Sequence, residues 1–241
     1  MWSCWMTAFS TTMSEENCEE INLSIDVLEL KESVQEDNAA WVKKVEDLLR
    51  AHHVFLVNVM STPGAGKTST LVRTIEMLKG QYRIGVLEAD VDAVVDADTV
   101  EKAGAKALQI HTGGSCHMDA KMTYEGLVKL GLDDVDLVFL ENVGNLVCPA
   151  EFDVGAQLKA MILSVPEGDD KPLKYPLMFQ VSDVMLINKI DVMPVFDFDV
   201  EKAKKRVKEL NPDIEVFEIS AKTGAGFDAW VNDLQRRVMA E

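Results

Sequence analysis

Residues 54–70, VFLVNVMSTPGAGKTST, pass from an apolar run of strand length through a Gly-rich turn into a helix-compatible segment. A turn of this kind cradles nucleotide phosphates. Gly64 and Gly66 let the backbone N–H groups around Ala65 and Ser69 converge on phosphate oxygens, Lys67 reaches the terminal phosphates, and the Thr68 hydroxyl can sit on Mg²⁺. The usual spacing is G-x-x-x-x-G-K-[ST], and Ser61 stands at the first glycine position. The strand before and the helix after restore the match, because they give the loop its physical form.

Outward from this loop, strand-like apolar runs recur at 54–60, 84–87, 107–110, 137–140, 158–163, 184–187 and 216–219. Helical patterns separate most of them, clearest at 68–78, 119–130, 200–210 and 227–238. The alternation predicts an α/β fold with a mainly parallel sheet and helices on both faces, whose ligands bind beyond the carboxyl ends of the strands. Asp37 or Asn38 is expected to cap a helix through AAWVKKVEDLLRAH, with Trp41, Val45, Leu48 and Leu49 on one face. Residues 1–36 then read as a flexible extension and 37–241 as the nucleotide domain with its N-terminal helix. Residues 166–176 are expected to form a polar, Pro-rich loop.

Composition narrows the function. A chain of 241 residues can bury a sizeable core without disulfides. Its 24 Lys plus Arg against 41 Asp plus Glu give a formal charge of −17, which argues against nucleic acid or an anionic membrane as partner. Cys4, Cys18, Cys116 and Cys148 are too scattered for a disulfide scaffold, and no apolar run reaches membrane-spanning length, so the cytoplasm is the expected compartment. Met1–Thr12 lacks the basic start and long apolar core of a signal peptide and reads as an extension from an upstream start codon.

Three further motifs fall at predicted strand ends. Asn188, Lys189 and Asp191 form an Asn-Lys-x-Asp, in which the Asp accepts both N1–H and N2–H of guanine, a contact adenine cannot satisfy. Ser220, Ala221 and Lys222 match the second base-binding loop of the same GTPases. Glu141-Asn142-Val143-Gly144 places an acidic residue for Mg²⁺ and a glycine, Gly144, whose N–H can sense a γ-phosphate. In Glu88-Ala89-Asp90-Val91-Asp92, Asp90 is the preferred Mg²⁺ or water-positioning candidate, while Asp92, Asp96 and Asp98 read as a solvated acidic face. Lys67, Thr68, Asp90 and Glu141 are thus the expected catalytic set. No glutamine lies beside Glu141–Gly144 to orient a hydrolytic water, so intrinsic hydrolysis is expected to be slow.

Cys116, His117 and Cys148 offer two soft thiolates and an imidazole, a set suited to Ni²⁺ or Zn²⁺. Cys116 and His117 precede a predicted helix whose positive end would favour the thiolate. Cys148 lies seven positions after Glu141, tethered to the γ-phosphate segment.

GAGKTS, IHTGGSCHMDAKM, ENVGNLVCPAEFDVG, VPEGDDKPLKYP and INKIDVMP together resemble the hydrogenase nickel-incorporation GTPase (HypB) family from about Ala39 onward. The resemblance implies a P-loop GTPase of the dimerising class related to nitrogenase iron protein, forming a GTP-dependent homodimer and delivering nickel to a [NiFe]-hydrogenase large-subunit precursor. It also implies a small zinc-containing accessory protein as partner, and Cys116, His117 and Cys148 as the metal site at the subunit interface. The clustered N-terminal cysteines and His-rich tract of some members have no counterpart in Cys4 and Cys18 or in the isolated His52–His53 pair. A urease accessory GTPase would place Cys-Pro-His at Cys116-His117, a small-molecule kinase would need no Asn-Lys-x-Asp, and a passive metal store would bind metal regardless of nucleotide.

Overall fold

The computed structural model describes the backbone of residues 23–90 and 95–241 and the side chains of 37–89 and 99–241. The readings made on Met1–Thr12, Cys4, Cys18 and Asp92 lie outside the described residues, as do the side chains of Asp96 and Asp98. The chain divides into two units, Met1–Val34 and Gln35–Glu241. In the first, residues 23–34 are helical.

Within the second unit, seven parallel strands among the described residues form one sheet. They are β1 (Phe55–Ser61), β2 (Ile84–Asp90), β3 (Lys106–His111), β4 (Leu137–Glu141), β5 (Leu158–Ser164), β6 (Val184–Asn188) and β7 (Glu215–Glu218). Their order is β3-β2-β4-β1-β5-β6-β7. The chain therefore leaves central β1 in both directions, which opens a crevice at its carboxyl end. Each of the seven runs expected from sequence became a strand, with ends shifted by up to three residues.

Alternation along the strands sorts the core. Phe55, Val57 and Val59 face one side with Leu71, Ile75 and Leu78 of α2 (Lys67–Leu78) and Trp230 and Leu234 of α9 (Phe227–Val238). α3 (Val95–Ala103), which the sequence pattern did not reveal, adds Val100 and Ala103 to that layer. Leu56, Val138 and Leu140 face the other side, against Val45 and Leu49 of α1 (Leu23–His52) and Leu127 and Leu130 of α4 (Ala120–Leu130). Met60, Met161, Met185 and Ile187 pack on Met178 and Phe179 of α7 (Pro176–Val181) and Val207 of α8 (Val200–Leu210).

Two local expectations fail for identifiable reasons. The helix expected to start at Asp37 or Asn38 is already under way at Leu23, because residues 23–38 contain no Gly or Pro to halt it. Asn38 is thus a mid-helix residue whose amide bonds elsewhere. The expected loop over 166–176 is instead a 3₁₀ turn at Val165–Glu167, followed by α6 (Lys171–Lys174) and α7 (Pro176–Val181). Each begins with a proline in its first turn, where the missing N–H costs nothing. A further short helix, α5, spans Cys148–Glu151.

Gly226 caps α9 at φ 76°, and a Cβ there would lie 1.9 Å from the Glu218 carbonyl oxygen. Gly226→Ala is therefore expected to lose about 1–3 kcal/mol or more in urea unfolding. Gly80→Ala, whose Cβ meets nothing within 4 Å, should be neutral or slightly stabilising. Equal stabilities for the two variants would remove the argument.

Candidate functional site

At the carboxyl end of β1 the chain turns through Pro63, Gly64 and Gly66 into α2, forming one wall of a cavity of about 590 Å³ that Glu88, Glu141 and Gly144 also line. Gly64 and Gly66 hold φ of 75° and 98°. Gly66 is constrained twice over, since a Cβ would come within 2.5 Å of the Asn188 amide nitrogen. Lys67 Nζ donates to Ser61 Oγ at 3.2 Å, and Thr68 Oγ1 donates to Glu141 Oε1 at 2.9 Å. Gly144 abuts the loop directly, because a Cβ on it would meet Pro63 N at 2.9 Å. Ser69 lies on both this cavity and the next.

An adjoining cavity of about 430 Å³ is lined by Gly66, Asn188, Lys189, Asp191, Ala221 and Lys222, among others. One buried amide organises it. Asn188 Nδ2 donates to Ala65 O at 2.9 Å, while its Oδ1 accepts from Lys189 N at 2.7 Å and Ala221 N at 3.1 Å. Lys189, in the left-handed region at φ 64°, sends Nζ to Gly64 O at 2.6 Å. Ser220 is fully buried, and its hydroxyl donates to Asp191 Oδ1 at 2.6 Å, so it aims the carboxylate instead of facing a ligand itself. Arg73 of α2 holds the same loop through the Ala221 carbonyl at 2.8 Å.

Residues of 63–69, 141–144, 188–191 and 221–222 thus line two adjoining cavities. Asp90 closes β2 opposite His111, but its side chain lies outside the described residues. Glu88, two positions earlier, is buried beside the phosphate cavity and in register with Glu141. Proximity to the strand end favours Asp90 in the sequence, and no local pattern marks Glu88, which lines the cavity. Arg73 carried no signal at all, being one charge on an amphipathic helix.

Cys116 and His117 lie in the loop after β3, and Cys148 opens α5. Their candidate ligand atoms lie within 4.8 Å of one another. The two sulfurs are 2.7 Å apart, and Cys116 Sγ is 3.8 Å from His117 Nδ1. A metal about 2.3 Å from each sulfur and about 2.0 Å from the nitrogen would hold the sulfurs roughly 3.3–3.8 Å apart and sulfur and nitrogen roughly 3.0–3.5 Å apart, so its entry would widen the sulfur pair and draw the imidazole slightly inward. The His117 ring stacks on Phe152 with centroids 4.0 Å apart. Burial lowers the His117 pKa against the opposing pull of Asp119 and Glu151, and so favours the neutral imidazole, the form a metal takes. The neighbouring Cys116 thiol, then burial, raise the Cys148 pKa, so a metal must displace that proton.

Two donors of the α4 amino end are engaged by side chains. Asp119 accepts from Met122 N at 2.7 Å and Asn38 from Ala120 N at 3.0 Å. Asn142, which is fully buried, joins the 116–118 loop to the 141–144 segment. Its Oδ1 accepts from Met118 N at 3.1 Å and from its own neighbour Val143 N at 2.9 Å, and its Nδ2 donates to Asn58 Oδ1 of β1 at 3.2 Å. A separate cavity of about 370 Å³ lies at the amino ends of the strands, beside Leu49, Phe55 and Gln157, away from all of these groups.

The family described as CobW/HypB/UreG, nucleotide-binding domain, matches residues 55–218. The chain is 43% identical over 215 residues to the hydrogenase maturation factor HypB of Escherichia coli K12, covering 89% of this chain and 72% of that protein. The crystal structure of HypB from Helicobacter pylori in complex with nickel superposes with a TM-score of 0.80 at 35% identity, covering 85% of this chain and 96% of that one. HypB from Archaeoglobus fulgidus superposes with a TM-score of 0.79 at 39% identity, covering 84% and 99%.

Asn188→Asp replaces the donor facing the Ala65 carbonyl with an acceptor. Guanine-nucleotide affinity is expected to fall about 5- to 150-fold, in line with about 1–3 kcal/mol for an unsatisfied buried group. Fluorescent-nucleotide titration checks this, and unchanged affinity would mean that the amide does not hold the loops together.

Proposed function

The chain belongs to the hydrogenase maturation factor HypB family, and from that premise we propose that it binds and hydrolyses GTP while carrying nickel to a [NiFe]-hydrogenase large-subunit precursor. The observation that carries the reading is the placement of a Cys₂His cluster and a phosphate cavity at the two ends of one short segment, Glu141–Cys148. Neither a small-molecule kinase nor a passive metal store has reason to share that segment between the two sites.

Each group has a defined task in this reading. Asp191, aimed by Ser220, takes the two guanine N–H groups, and Lys189 lies along the same cavity. Lys67 supplies charge to the β- and γ-phosphates, where catalysis comes mostly from positioning and electrostatics. Thr68 Oγ1 and Glu141 Oε1, already side by side, form the hard oxygen set that Mg²⁺ prefers, with Asp90 or Glu88 as a further carboxylate. A Mg²⁺ held by these groups would supply positive charge beside the phosphates. Nickel or zinc is the cargo of Cys116, His117 and Cys148.

A GTP-dependent homodimer meeting over the nucleotide face accords with a site that has no water-positioning glutamine of its own beside Glu141. Light scattering should give a dimer with a non-hydrolysable GTP analogue and a lighter species with GDP; one mass in both states would count against it. By the same family membership, the precursor and a small zinc-containing accessory protein are its protein partners.

Nucleotide choice and turnover test the reading. Wild type should bind GTP and not ATP, whereas Asp191→Asn should weaken GTP and admit xanthosine triphosphate, whose C2 carbonyl suits an amide donor. Lys67→Ala should fold yet lose most phosphate release in a steady-state assay. ATP binding by wild type, or full turnover by Lys67→Ala, would end the GTPase assignment.

A further inference from the structure

Asn38 touches both arms that carry the metal ligands. From the middle of α1 its Oδ1 accepts from Ala120 N at 3.0 Å, three residues past His117. Its Nδ2 donates to the Asp153 carbonyl at 2.9 Å, five residues past Cys148. Around it α1 grips the same two arms. Trp41 packs on Tyr124 of α4 with centroids 5.5 Å apart, and Val45 lies so close to Gly155 that a Cβ on that glycine would meet it at 2.9 Å. Gly155 itself is held at φ 76° with its N–H on Asp153 Oδ1 at 3.0 Å.

From this double hydrogen bond we infer that Asn38 is a positioning residue for the metal centre, setting the separation between the Cys116–His117 arm and the Cys148 arm. The inference rests on the metal-site reading above. Ligands 32 positions apart in sequence bind well only if their arms are held in register, because any slack must be removed when the metal arrives. A capping role alone would need only the bond to Ala120 N. The second bond, to the other arm, makes the amide a strut between them.

The two bonds can be separated. Asn38→Ala removes both, and Asn38→Asp keeps the acceptor that caps α4 while turning the donor into an acceptor facing the Asp153 carbonyl. Ni²⁺ affinity of the full chain would be measured by competition with a chromophoric chelator, alongside the thiolate-to-nickel charge-transfer absorption, GTP affinity and the thermal midpoint. Both variants should bind Ni²⁺ about 10- to 100-fold more weakly with an altered charge-transfer band, while GTP affinity stays near wild type. The negative charge added by Asn38→Asp would by itself raise cation affinity, so a loss there is informative. Should Asn38→Ala fail to fold, as its GTP affinity would reveal, Asn38→Asp alone decides. Wild-type affinity and spectrum in Asn38→Asp would reduce the residue to a helix cap and overturn the inference while leaving the metal site intact. Absence of Ni²⁺ binding by wild type itself would overturn the inference and the metal-site reading together.

Discussion

A single buried amide, that of Asn188, sets the geometry on which the nucleotide site depends. It closes three loops that arrive from β1, β6 and β7, spending its donor on Ala65 and its acceptor on Lys189 and Ala221. None of these three backbone groups belongs to regular ladder pairing, and a buried backbone group without a partner costs about 1–3 kcal/mol. The amide therefore does two things at once. It makes the loop assembly affordable inside the protein, and it fixes the distance between the phosphate cradle and the guanine reader. Gly66 follows from it, since no side chain fits between that residue and the amide.

Asn142 plays the corresponding part between the nucleotide and the metal. It stands one residue after Glu141, whose carboxylate holds Thr68, and its own side chain holds Met118, one residue after His117. Six positions further on is Cys148. A movement of the 141–144 segment would therefore be carried toward Cys148 through the backbone and toward the 116–118 loop through this amide. The parallel sheet makes such sharing possible by delivering every loop to the same edge.

How much of this was legible in sequence depends on the distance over which the information is carried. The five inner strands could be read because a parallel strand buried on both faces is a run of apolar residues, and the half-buried edge strands β3 and β7 because each keeps a short apolar stretch. The phosphate loop, Asn-Lys-x-Asp and Ser-Ala-Lys could be read because each packs its chemistry into a few consecutive residues. The start of α1 could not, since Asp37 and Asn38 are good caps in isolation and only the absence of a breaker upstream lets the helix run through. Nor could the short helices at 165–181, where prolines mark helix starts as readily as loops. Long-range contacts left least trace: Arg73 on the Ala221 carbonyl and Asn38 on two separate arms are each one polar residue with no local pattern.

The central claim is that nucleotide state governs metal affinity through the segment from Glu141 to Cys148. Calorimetric titration of Ni²⁺ into the Mg·GDP form and into the Mg·GTP-analogue form tests it most directly. A coupling of about 1–3 kcal/mol predicts dissociation constants that differ about 5- to 150-fold, with metal altering nucleotide affinity by the same factor. Equal nickel affinities in the two forms would contradict it, leaving a GTPase and a metal site that share a chain but no mechanism.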